Sequence, residues 1–181
     1  MSAAMPRFAA PPGYRFLRKL GGGDDAAVYD AVSPGGDAVA VKVLSKSADE
    51  AVMTRFRREL AAGLAVRHPH LVRIDDGNAD GPPYFLVMER VPGDSLKKRV
   101  VTNGRMAVPV ALGVARQIAD ALAVLHAAGF VHADVKPANV VVPTPGRAVL
   151  VDLGFAHRPG ELNFVLGTAN YLAPELCAAP A

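Results

Sequence analysis

The chain has 181 residues, 51% of them hydrophobic and 20% charged, with 20 Lys+Arg against 17 Asp+Glu and a net charge of +3. The apolar fraction excludes a disordered chain, the single cysteine, Cys177, excludes an internal disulfide or a cysteine-cluster metal site, and the mixed charges lack the one-signed run of a nucleic-acid groove. No charge-free apolar stretch reaches the ~18 residues of a membrane span and the Ala/Pro-rich start has no signal-peptide core, so a soluble protein of a reducing, cytoplasmic compartment is expected.

Residues 1–13 read as a flexible lead-in, because Pro6, Pro11 and Pro12 deny regular structure. Residues 14–20 are predicted as a strand ending in Gly21-Gly22-Gly23, and residues 27–32 as a second. Ser33-Pro34-Gly35-Gly36 is a turn. Residues 38–44 form a third strand with Lys42 inside it, completing an antiparallel meander. Ser47 and Glu50 make an S-x-x-E capping pattern. It precedes a helix whose Met53, Phe56, Leu60 and Leu64 share a face, with Glu59 on the edge of that stripe. Two further strands, 71–74 and 84–88, are separated by the turn Asp75-Asp76-Gly77-Asn78 and by Gly81-Pro82-Pro83. Five strands and one helix make an α+β lobe over residues 14–90.

Val91-Pro92-Gly93-Asp94 marks the boundary of a second region, 91–181. A long helix is predicted over 109–128, burying Val114, Ile118, Ala121 and Leu125. A polar loop at 130–139 follows, then short strands at 140–142 and 148–151, and a loop-like stretch over 152–175. No internal repeat is present.

The glycine cluster alone fits a tight turn or a phosphate-binding hairpin, whose bare backbone lets N–H groups approach phosphate oxygens. A dinucleotide fingerprint is excluded, since a strand rather than a helix follows the glycines. Lys42 sits at the centre of an apolar strand, where an unpaired ammonium is costly to bury. It either snorkels from an edge or meets an anion, and Glu59 is the natural partner. In His132-Ala133-Asp134-Val135-Lys136-Pro137-Ala138-Asn139, Asp134 has the chemistry to accept a hydroxyl proton and Lys136 to neutralise a transferring phosphoryl group. Asn139, with Asp152 of Asp152-Leu153-Gly154, offers hard oxygen ligands that suit Mg²⁺ rather than zinc. The remaining features read blandly: His68 and His70 as a helix-to-strand turn, His126 as packing, His157 as loop-exposed, Lys97-Lys98-Arg99 as a solvated face, Cys177 as an ordinary thiol.

Together these pieces resemble the eukaryotic-type protein kinase family. The matching segments occur in family order: Leu20-Gly21-x-Gly23-x-x-Ala26-x-Val28, Val39-Ala40-Val41-Lys42, Glu59, His68-Pro69-His70-Leu71-Val72, Met88-Glu89, His132 to Asn139, Asp152-Leu153-Gly154, and Gly167-Thr168-Ala169-Asn170-Tyr171-Leu172-Ala173-Pro174-Glu175. Order and spacing carry the resemblance over residues 14–175. Phe56-Arg57-Arg58-Glu59 and Lys136-Pro137-Ala138-Asn139 are similar to bacterial serine/threonine kinases.

The resemblance implies an α+β, two-lobe kinase fold: a five-stranded antiparallel N-lobe with one helix, over 14–90, and an incomplete, mainly helical C-lobe. It implies an ATP- and Mg²⁺-dependent enzyme that transfers the γ-phosphate to protein Ser/Thr hydroxyls. Leu20, Gly21, Gly22 and Gly23 would cover the nucleotide phosphates, and Val28 and Ala40 would pack on adenine. Lys42 would hold the α/β-phosphates and pair with Glu59. Backbone groups of Glu89 and Val91 would bond the adenine edge, with Ser95 near the ribose. Asp134 would orient the substrate hydroxyl and accept its proton. Thr168 would reach back to Asp134 and Lys136, and Asn139 and Asp152 would hold Mg²⁺. Lys136 and Gly167-Thr168-x-x-Tyr171 follow the serine/threonine pattern. Two other readings stand beside this one, a catalytically impaired nucleotide-binding pseudokinase or scaffold remnant and a small-molecule kinase.

The sequence departs from the family pattern in three places. Ala26 replaces the third glycine of the loop. Ala133 replaces the arginine before the catalytic aspartate, and the stretch from Phe155 to Leu166 has no Ser, Thr or Tyr, so switching by phosphorylation there is not expected. Finally, the sequence stops six residues after Glu175, where the family's large lobe continues. A fragment, or a unit completed by another chain, is therefore expected, with the apolar face of 109–128 and the floor beneath Asp134 exposed.

Overall fold

The computed structural model describes residues 8–45, 49–143, 146–161 and 167–177. Strands β1 (Arg15–Gly22), β2 (Ala26–Val32), β3 (Ala38–Leu44), β4 (Ile74–Asn78) and β5 (Phe85–Glu89) form an antiparallel sheet in the order β1-β2-β3-β5-β4. β2 and β3 pair without a break from Ala26↔Leu44 to Val32↔Ala38. The two-residue side-chain period then sorts β3 by face. Val41 and Val43 join Ala27 and Ala31 in a small core, where Phe16 stacks on Tyr29 at 4.1 Å. Ala40, Lys42 and Leu44 take the opposite face. Asp30, buried on β2, accepts from Arg90 Nε at 2.7 Å and from Arg18 Nε at 3.3 Å, tying the sheet to the inter-lobe connection. The Arg90 hydrogen bond, aided by Arg18, holds its carboxyl below the usual range against burial.

Helix α1 (Glu50–Ala65) begins at Asp49, whose side chain accepts from Val52 N at 2.8 Å. Glu50 is thus the first helical residue, and Ser47, expected as the cap, lies outside the described residues. The buried stripe runs through Val52, Met53, Phe56, Glu59, Ala62 and Gly63, while Leu64 is 48% exposed. The stripe is therefore rotated from its expected centre, and Glu59 moves from its edge to its middle. Gly63 explains the rotation: a Cβ there would come within 2.2 Å of Ile74 Cδ1, so helix and sheet approach through it.

The strand expected at 71–74 is displaced. Leu71 bridges Leu150 in parallel, Val72 N donates to Leu150 O at 2.8 Å, and Leu150 N donates to His70 O at 2.8 Å. This segment docks on the second lobe, and β4 forms instead at Ile74–Asn78, over the residues expected as a turn. Its polar side chains are tolerated because it is an edge strand.

Beyond β5 come β6 (Asp94–Ser95), α2 (Leu96–Asn103), α3 (Val108–Ala127), β7 (Val140–Val142) and β8 (Val149–Leu150), the strands ordered β6-β7-β8. Helix α2 was not expected. Ser95 Oγ caps it by accepting from Lys98 N at 3.3 Å, and Gly104 ends it at φ 76°. The basic run is only partly a solvated face: Lys98 pairs with Asp94 at 2.7 Å in solvent, but Arg99 Nη2 donates to Val142 O at 2.6 Å. The apolar surface of α3 expected to be bare is bare only in part. Ile118, Ala121 and Leu125 pack with Phe130, Val140, Leu150 and Leu153 in a core shared with α1 and β5. Asp134 is likewise buried. Val108, Val110, Leu112 and Val124 on α3 are exposed, as is His126, expected to pack. By length and composition alone α3 is apolar enough to cross a membrane, although part of it packs in this core.

Candidate active site

A cleft of about 780 Å³ lies between the β1–β2 hairpin and the β7–Asp152 region. Its lining includes Leu20, Gly21, Gly22, Gly23, Val28, Ala40, Lys42, Glu59, Glu89, Val91, Asn139 and Asp152. Ser95 is absent from it, since its hydroxyl caps α2. Ile74, Met88 and Val141 also line the cleft and were not anticipated. Three consecutive valines do not mark which of them faces the cleft; the alternation appears only in the fold, where Val140 and Val142 are buried and Val141 lines the cleft.

The hairpin depends on one glycine. Gly22 sits at φ 113°, and a Cβ there would come within 2.3 Å of Ala26 O, whereas Cβ atoms at Gly21 and Gly23 would meet nothing within 4 Å. Gly22 therefore lets β1 close tightly on β2 at the end of the hairpin, and its neighbours leave open backbone over the cleft.

Beneath it, Lys42 Nζ lies 2.6 Å from Glu59 Oε2 and 3.5 Å from Asp152 Oδ1. Burial pulls the Lys42 ammonium down, but Glu59 and Asp152 outweigh it and hold its pKa above the ordinary value. Burial pushes the Glu59 carboxyl up, Asp152 adds to that, and Lys42 draws it only partly back. One cation between two carboxylates leaves a net negative charge facing the cleft. Asp152 adopts φ 67°, and its Oδ1 accepts from Gly154 N at 3.3 Å. A Cβ at Gly154 would crowd that same oxygen at 3.1 Å.

A second cluster surrounds Asp134, which is 3% exposed. Thr168 Oγ1 donates to its Oδ1 at 2.6 Å, Lys136 Nζ pairs with its Oδ2 at 2.6 Å, and Asn139 Nδ2 donates to Oδ2 at 3.0 Å. Lys136 Nζ also donates to Thr168 Oγ1 at 2.7 Å. Burial pushes the Asp134 carboxyl up, but Lys136, Thr168 and Asn139 outweigh it and hold it below the usual range. Gly167 brings Thr168 in, since a Cβ at Gly167 would sit 2.8 Å from Ala133 O. His132 Nδ1 accepts from Asp134 N at 3.3 Å, and burial lowers the imidazole pKa, keeping the ring neutral. Asp134, Lys136 and Thr168 do not line the cleft themselves. Asn139 joins the two clusters, with its Nδ2 on Asp134 and its side facing the cleft.

Both of those Asn139 hydrogen bonds run through Nδ2, which leaves Oδ1 as the acceptor for an external ligand. Asp152, 43% exposed at its side chain, offers a second hard oxygen. Among the described residues no cluster of three or more His, Cys, Asp or Glu could hold a metal alone. An ion at Asn139 and Asp152 would complete its shell with phosphate oxygens and water, the habit of Mg²⁺.

A family model described as a protein kinase domain matches residues 14–180. The chain belongs to the protein kinase domain family. This kinase domain is 37% identical over 172 residues to the serine/threonine-protein kinase PkaB of Streptomyces coelicolor, covering 87% of the chain and 41% of the relative. It is 36% identical over 174 residues to a probable serine/threonine-protein kinase, pknA2, of Bifidobacterium longum, covering 90% of the chain and 23% of the relative. It is also 36% identical over 170 residues to the serine/threonine-protein kinase PrkC of Bacillus subtilis, covering 90% of the chain and 26% of the relative. The chain thus spans between 23% and 41% of the length of these curated relatives.

Proposed function

We propose that this kinase domain transfers the γ-phosphoryl group of ATP to serine and threonine hydroxyls of proteins, with Mg²⁺ held by Asn139 and Asp152. The observation that carries the reading is the position of Asn139, which links Asp134 to the cleft lined by Lys42 and Asp152. The open backbone of Gly21 and Gly23 and the Lys42 ammonium suit the nucleotide's phosphates. Mg²⁺, when bound, neutralises charge on the phosphate oxygens.

Asp134 orients the acceptor hydroxyl. An ionised carboxylate has about four acceptor positions, and Thr168, Lys136 and Asn139 fill three of them. The remaining one accepts the substrate O–H. As the O–P bond forms and the bond to the departing ADP breaks, that proton passes to Asp134. A carboxylate held below its usual range is a weak base, which suits a loose transition state in which positioning matters more than early proton removal. Lys136, already on Asp134, offers positive charge beside the transferring group.

The serine/threonine assignment is supported by the relatives' names. It is also supported by the Lys136–Thr168 hydrogen bond, which joins the two positions where the sequence follows that pattern. The test is incubation with ATP and Mg²⁺ against matched peptides bearing Ser, Thr or Tyr, with aminoglycosides and choline-like alcohols in parallel. Phosphate is expected on Ser and Thr peptides only. Turnover of the small alcohols alone would contradict the proposal. Nucleotide binding with no transfer above that of Asp134→Asn would favour a scaffold.

A further inference from the structure

The segment after Asp152 is held from two sides without a phosphate. On one side, His157 and Val131 exchange both backbone hydrogen bonds, at 3.1 and 2.8 Å, and the Arg158 guanidinium lies 4.5 Å from the Phe130 ring centroid. These contacts fix the segment to the start of the loop that carries Asp134. On the other side stands α1. Arg58 Nε lies 3.5 Å from Glu161 Oε2, with side chains 24% and 38% exposed, and the Arg55 guanidinium lies 6.0 Å from the Phe155 ring. Glu161 also closes its own turn: Oε2 accepts from Arg158 N at 3.0 Å, and Glu161 N donates to Arg158 O at 3.2 Å. Arg58 is the immediate neighbour of Glu59, whose carboxylate holds Lys42.

Residues 155–166 contain no hydroxyl side chain, and position 133 is an alanine. No phosphoryl group can therefore be installed on a Ser, Thr or Tyr of this stretch, nor received by a side chain at 133. We propose that Glu161 is a positioning residue that does this work with a fixed carboxylate. Paired with Arg58, it couples α1 to the segment after Asp152 and so keeps Glu59 on Lys42 without a phosphoryl group in residues 155–166. Its charge matters, because the turn with Arg158 N requires only an acceptor, which glutamine also supplies, whereas the hold on Arg58 requires an anion.

The activity arm of the test rests on the proposed phosphotransfer, and the exchange arm does not. Glu161→Gln and Arg58→Gln are each expected to lower kcat about three- to fivefold, a modest effect because the pair is partly solvated, and the double variant is expected to be no worse than either single. Arg58→Lys, which keeps the cation and leaves the Glu161 turn intact, is expected to stay within about twofold of the starting rate. In parallel, hydrogen exchange at the amides of Ala156, His157 and Glu161 should accelerate about threefold or more in Glu161→Gln and Arg58→Gln and stay near the starting rate in Arg58→Lys. Unchanged exchange in Glu161→Gln overturns the proposal, and so does an Arg58→Lys protein as impaired as Arg58→Gln. A starting protein with no phosphotransfer would sink the proposed function, while the exchange arm would still decide for or against the Arg58–Glu161 coupling.

Discussion

Asp134→Asn is expected to lower the proposed phosphotransfer by about 10²–10⁴-fold, the loss that follows when a positioned acid–base group is removed. The substitution keeps the shape but removes the charge on which Thr168, Lys136 and Asn139 converge. An amide oxygen cannot satisfy all three donors, and the amide nitrogen faces at least one of them donor to donor. The substrate hydroxyl then meets a group that neither orients it nor takes its proton. Asp134 lies outside the cleft lining, so ATP affinity is expected to stay within about twofold of the unsubstituted protein. The two readouts separate a fault in chemistry from a fault in nucleotide binding. A variant that loses both would place Asp134 in the nucleotide site instead.

Lys42→Met carries the second large effect, and it falls on both activity and stability. Lys42 is the cation between Glu59 and Asp152, and the Glu59 side chain is only 4% exposed. Without it the phosphates lose a fixed positive charge, an expected loss of about 10²–10³ in rate. Glu59 is left buried and unpaired, an expected cost of about 3–5 kcal/mol in denaturant unfolding. Adding Glu59→Gln should restore much of the stability, because the stranded charge is gone, and none of the activity. Stability that stays low in the double variant would show that the loss came from packing rather than charge.

The pH dependence follows from the same pair. Burial raises the Glu59 carboxyl, so on acidification it takes up a proton above the ordinary carboxylate range and releases Lys42. Asp134, held low, stays ionised through that window. The acid limb of kcat/KM should therefore report Glu59. For stability, Glu59's raised value favours the fold fully below its ordinary pKa, and that share is lost as pH rises through the folded one. The Asp134 contribution runs the other way, present above its ordinary value and lost as pH falls through the lowered one.

Much of the architecture was legible because local pattern and tertiary demand agree. Val39-Ala40-Val41-Lys42-Val43 alternates as a strand, and an ammonium in its middle had to find an anion; Glu59 is that anion. The exceptions have identifiable causes. Glu59 sits at the centre of the buried stripe because Gly63, which has no side chain to advertise its face, is the contact with β4. β4 begins at Ile74 because Leu71 and Val72 are drawn to Leu150, a pairing between segments far apart in sequence. α2 was hidden by its run of charge, although Ser95 at its start and Gly104 at its end are ordinary helix boundaries. Within the site, Ser95 was placed by resemblance alone and the fold uses it as a cap. Asp30–Arg90 and Arg58–Glu161 join distant positions by charge, with no period in the sequence to mark them.

In the proposed site Lys42, Asn139 and Asp152 meet around one nucleotide and its metal, beside Asp134. The decisive measurement is calorimetric titration of ATP into the protein, with and without Mg²⁺, and again into Asp152→Asn. Binding is expected to be at least about tenfold tighter with Mg²⁺, and the Mg²⁺ dependence to disappear in Asp152→Asn. Equal affinity with and without the ion, unaltered by the substitution, would contradict the proposed site.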